Sequence, residues 1–103
     1  MRKIERLMND AINREIDWQQ DNTSVQTSDG ISDVYLHGNL IAKISETWVQ
    51  LFDGGHQSKT TKSRLNAILS VHGNGERVYA KNFDWFVSTN EGAVPFTEGM
   101  RLV

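Results

Sequence analysis

The sequence predicts an α+β fold with an N-terminal helix, an antiparallel β-meander, a second helix and a C-terminal β-hairpin, and with the helices on one face of a single sheet. Three observations favour this fold. Apolar residues recur with the helical period in residues 2–17, the period changes to two between residues 22 and 52, and the helical period returns after Asp53-Gly54-Gly55. Because 103 residues hold one hydrophobic core, we expect a single domain over 1–103, with a core at 1–88 and a tail at 89–103.

The first helix is predicted over residues 2–17. Its apolar side chains are spaced by three or four residues and form one stripe, which consists of Ile4, Leu7, Met8, Ala11, Ile12 and Ile16. On the opposite face Asp10 has Arg6 and Arg14 one turn away on either side. We therefore expect the apolar stripe to pack inward.

Short strands are predicted at residues 23–27, 33–37, 40–45 and 48–53, with Gly38-Asn39 supplying the positive φ angles of a two-residue turn. This register places one apolar set on the first face, namely Tyr35, Leu40, Ala42, Ile44, Val49 and Leu51. A second set lies on the other face, namely Val34, Leu36, Ile41, Trp48 and Phe52. Because both faces are partly apolar, we expect the second face to be covered by the tail or by another subunit.

The second helix is predicted to begin near Thr60 or Thr61 and to end at Gly73. Residues 77–88 follow as a hairpin that turns near residues 81–83. The tail then carries three apolar residues that anchor it, namely Phe96, Met100 and Leu102.

The composition excludes several kinds of site. The chain has no cysteine, so disulfides, thiolate metal ligands and a cysteine nucleophile are excluded. Its three histidines stand apart, without the spacing of a metal-binding motif, and there is no nucleophile elbow. We therefore predict no metal, no cofactor and no enzymatic activity. No apolar run approaches the ~20 residues of a membrane span, and the charged N-terminus lacks a secretory signal, so we expect a cytoplasmic protein without a membrane partner.

A basic segment interrupts an otherwise acidic chain. The net charge is −2, yet residues 59–81 contain five basic residues and one acidic residue, a local charge of +4. A glycine-rich loop leads into the second helix, where free N–H groups and the helix dipole favour an anion. The predicted site for an anion or an acidic partner consists of Lys59, Thr60, Thr61, Lys62 and Arg64. The alternative interpretation is that the cations are solvated and the hydroxyl groups cap the helix.

A second candidate surface is aromatic. Four aromatic residues lie close together in the C-terminal hairpin, and two more lie on the second face of the meander. The predicted binding residues are Trp48, Phe52, Tyr79, Lys81 and Trp85. Aromatic rings beside cations can stack on unpaired bases. The alternative interpretations are that these rings belong to the core or to a protein–protein contact.

The order of elements resembles that of the double-stranded RNA-binding domain, an α-β-β-β-α fold with a Ser-Lys pair at the start of its second helix. Ser58-Lys59 matches this pair. The resemblance implies that the basic helix start would contact the phosphates of A-form RNA. It supports a nucleic-acid-binding module as an alternative function.

Four segments resemble small uncharacterised proteins of tailed bacteriophages over roughly residues 1–88. They are VYLHGNLIAKI, LFDGG, TTKSRLNAIL and the stretch from Tyr79 that ends in Trp-Phe-Val. The resemblance implies a non-catalytic phage accessory protein that binds and inhibits or redirects a host complex of defence or nucleic-acid processing, in the cytoplasm of the infected cell. A host protein complex is thus the expected partner, and self-association is a further hypothesis. A third interpretation is a small enzyme or nucleotide sensor at Gly54-Gly55.

Overall fold

We describe residues 1–103 in a computed structural model of the chain. The two helices are α1 (Lys3–Arg14) and α2 (Lys59–His72). The nine strands, in chain order, are β1 (Trp18–Gln20), β2 (Thr23–Ser28), β3 (Ile31–Leu36), β4 (Asn39–Ile44), β5 (Val49–Leu51), β6 (Arg77–Lys81), β7 (Asp84–Thr89), β8 (Gly92–Pro95) and β9 (Met100–Leu102). The predicted α+β class and the order of helix, meander, helix and C-terminal strands are confirmed. Neither helix has the length and apolar character that a membrane crossing requires.

The strands form two sheets, so the prediction of a single sheet is wrong. β1 to β5 and β9 form a six-stranded antiparallel sheet in the order β1-β2-β3-β4-β5-β9, and β6-β7-β8 form a three-stranded one. The Asn66 side chain of α2 donates to the Val78 carbonyl (2.9 Å) and accepts from the Val78 N–H (2.8 Å). This amide therefore occupies the free edge of β6 at Val78, where a neighbouring strand would otherwise bond.

The predicted tail, residues 89–103, contributes a strand to each sheet. β8 pairs with β7, and β9 pairs with β5. Between the two strands, the Phe96 ring meets the Trp85 ring edge-on, with 5.3 Å between the ring centroids. On β9, the Arg101 guanidinium lies 4.0 Å from the centre of the Trp48 ring. This segment therefore connects the two sheets, and it covers the second face of the meander only in part, at Trp48 and Gln50.

The turn between β3 and β4 lies one residue earlier than predicted. His37 and Gly38 have φ angles of 52° and 77°, and Leu36 pairs with Asn39. A bulge between Val34 and Tyr35 then changes the register by one further residue, and such a change exchanges the two faces of a strand. Val34 therefore pairs with Ala42 and lies on the inner face, whereas the predicted register separates these two residues. The expectation that Val34, Leu36 and Ile41 lie on the second face, under another subunit or the tail, is wrong, since all three are buried in the core.

One apolar core joins both helices and both sheets. It is a cluster of 18 buried residues, and the central ones from different elements are Met8 of α1, Leu51 of β5, Leu65 of α2 and Val87 of β7. Both helices pack on the inner face of the larger sheet, as predicted. The other face of that sheet carries half-buried residues, including Tyr35, Leu40, Trp48 and Phe52. The hairpin of β6 and β7 packs its inner face against the same core, which leaves its second face outward.

Candidate interaction surface

The outward face of the smaller sheet carries a row of apolar rings. Side chains alternate along β6 and β7, so Val78, Trp85 and Val87 are buried while their neighbours point away from the core. Tyr79 pairs with Phe86, and Phe86 pairs with Pro95 on the next strand. The Tyr79 and Phe86 rings are stacked, with 5.8 Å between centroids and 26° between their planes. We call this row, together with Phe83 at the hairpin tip, the hairpin surface.

Phe83 is fully exposed to solvent at the tip of the β6–β7 hairpin. It forms a two-residue turn with Asn82, and both residues have positive φ angles, 53° and 70°. Positive φ at both central positions is the signature of a type I′ turn, which matches the twist of the flanking strands. The turn lies within the predicted range of residues 81–83.

Two other two-residue turns of the chain have glycine where the β6–β7 turn has Phe83. Asp29-Gly30 joins β2 to β3, and His37-Gly38 joins β3 to β4, both with positive φ angles. Each has glycine at the second central position, where the absent Cβ removes the steric conflict. The third turn has Phe83 at that position. A left-handed backbone raises the free energy of a residue with a Cβ by about 1–2 kcal/mol.

Neither the backbone nor the core explains the phenylalanine at this position. Its ring is exposed, so it contributes no burial that would offset the strain. Strained residues of this kind cluster at functional sites, where the strain accompanies a role in binding. Sequence reasoning placed Phe83 and Phe86 in the aromatic cluster but did not select them. The available signal was the pair Asn82-Phe83 at a position where Asn-Gly is the usual turn.

Three charged residues surround the rings. Arg77, Lys81 and Asp84 are exposed on the same face as Tyr79 and Phe86, because they alternate with the buried residues of β6 and β7. Lys81 and Asp84 are register partners next to the turn. Their charges therefore balance at the tip, and Arg77 supplies the remaining positive charge at the far end of β6.

The predicted anion site at the start of α2 is only partly at the surface. Lys59 is exposed, and Thr60 and Lys62 are half-buried. Thr61 is buried, and its hydroxyl group lies 2.9 Å from that of Ser58. Ser58 is the N-cap of the helix and accepts a hydrogen bond from the Thr61 N–H at 3.1 Å. The Thr61 side chain thus serves the cap, as in the alternative interpretation.

Arg64 lies inside the protein, so the expectation of a surface cation at this position is wrong. Arg64 is 3% exposed. Its guanidinium donates to Glu5 Oε2 (2.9 Å), to Thr23 Oγ1 (3.0 Å) and to Asn22 Oδ1. The helical period contained this information, because Arg64 stands four residues before Ile68 on the buried face of α2. Of the predicted cations, only Lys59 and Lys62 face solvent.

The carboxylate of Glu5 holds this buried cluster together. It accepts from the Ser63 hydroxyl (2.6 Å), from the Arg2 N–H (3.1 Å) and from Arg64. Burial raises the pKa of Glu5, but the hydrogen bonds from Ser63, Arg2 and Arg64 and the arginine charge lower it, and they prevail. Glu5 is therefore a carboxylate in the folded protein, which ties α1 to α2.

The predicted aromatic group is divided among three places. Trp48 and Phe52 lie half-buried on the larger sheet, whereas Tyr79 belongs to the hairpin surface and Lys81 lies beside it on the same face. Trp85 is only 6% exposed and belongs to the core against Phe96, so it is not part of a surface. The structure therefore brings Tyr79 and Lys81 together with Phe83 and Phe86, and it separates them from the other predicted aromatics.

Most polar side chains of one groove are bonded within the chain. A groove of about 400 Å³ lies beside α1 and α2, and it is lined by Met1, Glu5, Ser63, Asn66, Ala67, Ser70 and Arg77. Its hydroxyl and amide groups are already bonded within the chain, to Glu5, to Val78 and to the Ala67 carbonyl. No group of three or more histidine and carboxylate side chains is arranged to hold a metal. The hairpin surface is thus the strongest candidate for binding.

The chain matches the family model described as the Kyanoviridae Gp96 protein over residues 1–103. The protein belongs to this family. The predicted origin as a small phage protein is therefore confirmed, and the match of this Gp96-family chain extends through residues 89–103, beyond the resemblance noted in the sequence. No curated protein and no solved structure matches the chain.

Proposed function

We propose that this Gp96-family protein is a non-catalytic accessory protein that acts by binding a host macromolecular complex in the cytoplasm of the infected cell. Inhibition or redirection of a defence or nucleic-acid-processing complex is the proposed outcome of this binding. The observation that supports the proposal is the hairpin surface, where Tyr79, Phe83 and Phe86 point away from a sheet whose other face is already packed.

Aromatic rings of this kind are typical of the energetic centres of protein interfaces. Tyrosine combines a large apolar area with a polar hydroxyl group, and arginine is common beside such rings. Tyr79 and Phe86 form a flat stacked pair, while Arg77 and Lys81 lie at its sides. An apolar centre with a charged rim is the usual anatomy of a non-obligate interface.

Affinity capture from lysate of the infected host tests this function. We expect the tagged protein to retain a specific host complex, identified by mass spectrometry and by reciprocal capture. The double variant Tyr79→Thr/Phe86→Thr keeps β-favouring side chains and should lose that complex. Tyr35→Thr, on the outer face of the larger sheet, is the matched control and should retain it. Equal capture by both variants would contradict the assignment of the surface.

A nucleic-acid-binding module is the second candidate, because Arg77 and Lys81 lie on the face of the stacked Tyr79–Phe86 pair. Stacking on rings beside cations is the usual mode of single-strand binding. Binding isotherms with single- and double-stranded RNA and DNA at several salt concentrations test it. Affinity that falls steeply with salt and that is lost in Arg77→Gln/Lys81→Gln would support this candidate over the first.

A further inference from the structure

We infer that Phe83 is the anchor of the interface and that its ring enters an apolar pocket on a folded protein partner. This inference rests on the proposed function, and it concerns the same hairpin surface. The site is one residue at the tip of the β6–β7 hairpin, beyond the flat stacked pair of Tyr79 and Phe86. The class of ligand is a protein with a preformed cavity of the size of a phenyl ring.

The position of Phe83 is unfavourable for the isolated chain in two independent ways. Its backbone is left-handed, with a φ angle of 70°, where the equivalent positions of the two comparable turns are occupied by Gly30 and Gly38. Its ring is fully exposed, so water surrounds an apolar surface that no residue of the chain covers. Burial of the Phe83 ring in a complex would explain why the chain keeps a residue with both disadvantages.

The shape and charge of the hairpin tip favour an apolar pocket of a protein over a nucleic acid as the binding partner. A side chain that projects from a tight turn is convex, so its complement is a concavity. Lys81 and Asp84 face one another in register at the base of the turn, and their opposite charges leave the tip without net charge. Contact with a phosphate backbone relies on an excess of cations. An exposed ring whose neighbouring charges cancel instead fits an apolar pocket of a protein.

A second copy of this chain does not offer the required pocket. An apolar cavity of about 150 Å³ suffices for a benzene ring. The cavities of this size or larger are lined mainly by polar residues, and the space near Leu36 and Ile41 measures only about 50 Å³. The ring therefore has no complementary site on its own kind, and the partner is a different protein.

Photo-crosslinking of the full-length protein in infected host cells tests this inference. Phe83→p-benzoylphenylalanine places a reactive aromatic group at the tip, and Asn90→p-benzoylphenylalanine places it in the exposed turn at the opposite end of β7. We expect a host protein to crosslink only from position 83, with the adduct mapped to residues that line an apolar cavity. A nuclease-sensitive adduct, an adduct to a second copy, or equal adducts from both positions would overturn the inference.

A glycine variant separates the anchor role from a structural role. Phe83→Gly suits the left-handed backbone, so its melting temperature should equal or exceed that of the unmodified protein. Its capture of the host protein should fall by about tenfold or more, as expected for an interface anchor. Asn90→Gly, in the other turn of the same sheet, should change neither quantity.

Different outcomes contradict the proposed function and the anchor role of Phe83. If the unmodified protein retains no host protein, the proposed function fails, and the inference fails with it. If the unmodified protein and Phe83→Gly retain the same host protein equally, only the inference fails. A lower melting temperature of Phe83→Gly would also contradict it, because it would show that the phenyl ring stabilises the fold of the free chain.

Discussion

A single buried ion pair connects the first turn of α1 to α2. Glu5 and Arg64 are 2% and 3% exposed, and their charged atoms approach to 2.9 Å. Removing two charges from water opposes folding, so such a pair depends on further hydrogen bonds to both partners. Ser63 and the Arg2 N–H supply these bonds to the carboxylate, and Thr23 supplies one to the guanidinium. The pair therefore fixes the relative position of the two helices.

Removing the charge of Glu5 should be strongly destabilising. Glu5→Gln leaves the Arg64 guanidinium buried without an anion, and we expect the free energy of unfolding to fall by about 3–5 kcal/mol. Urea denaturation at neutral pH measures this change. The control is Asp10→Asn, which removes the exposed pair with Arg14 on the same helix and should lower the free energy by less than about 0.5 kcal/mol. Similar losses in the two variants would contradict the role of the buried pair.

The same carboxylate should make the protein sensitive to acid. The pKa of Glu5 is lower in the folded protein than its ordinary value, so the folded state holds this proton more weakly than the unfolded state. Its contribution to stability is present above the unfolded pKa and is lost as the pH falls through the folded pKa. We therefore expect the loss of stability between neutral and acidic pH to be smaller in Glu5→Gln, as measured by urea denaturation across that range. Parallel pH profiles would contradict this expectation.

At the scale of elements, the Asn66 side chain forms the hydrogen bonds to β6 that a neighbouring strand would otherwise form. Its amide bonds both backbone groups of Val78, on the side of β6 that β7 does not occupy. An edge strand otherwise leaves such groups to water or to another chain. The amide thereby attaches the smaller sheet to α2 at a defined register.

Loss of this amide should loosen the smaller sheet. Asn66→Ala removes two hydrogen bonds and leaves two backbone groups of Val78 unpaired, so we expect a destabilisation of about 2 kcal/mol. Amide hydrogen exchange should show faster exchange of the Val78 N–H in particular. Ser70→Ala on the same helix removes only a local bond to the Ala67 carbonyl and is the control. Unchanged protection of Val78 would show that other contacts attach the sheet.

The elements with a strong period could be predicted, and those that depend on long-range partners could not. The stripe of α1 predicts its inward face, although the helix ends at Arg14 because Glu15 adopts a left-handed conformation. His37-Gly38 and Gly38-Asn39 both permit a tight turn, and a bulge between Val34 and Tyr35 accompanies the observed register. That bulge is fixed by packing between strands and helices, which a local pattern does not contain.

The residues of the candidate site could likewise be predicted only where a local pattern indicates them. The aromatic cluster of the hairpin was visible in the sequence, but the alternation of β7 decides that Trp85 is buried and Phe86 is not. The helical period places Arg64 on the buried face of α2, but its partner Glu5 lies 59 positions earlier in the chain and no local pattern indicates it. The attachment of β6 to α2 involves Asn66, a single polar side chain without a motif.

At the scale of the whole molecule, the segment after β8 completes both sheets. Phe96 covers the edge of the Trp85 ring, and Met100 and Leu102 pack against the core from β9. The two sheets share one core through α2. We therefore regard this segment as part of the cooperative unit.

Removal of residues 96–103 should destabilise the protein severely. The truncation exposes one side of Trp85 and strips the pairing partner from β5. We expect a loss of about 3 kcal/mol or more, which corresponds to roughly 10–20 °C in melting temperature for a chain of this size. Calorimetry measures it, and removal of the exposed Val103 alone is the control. A melting curve of the truncated protein that matches the full chain would show that the segment is dispensable.

The two sheets together expose very little strand edge. β1 and β9, the edges of the larger sheet, are three residues long each. In the smaller sheet Asn66 occupies the middle of β6, and Pro95 in β8 has no N–H to donate. A growing fibril adds chains by pairing long free edges, and none of these edges offers such a template. Copies of this protein are therefore protected against strand-by-strand polymerisation.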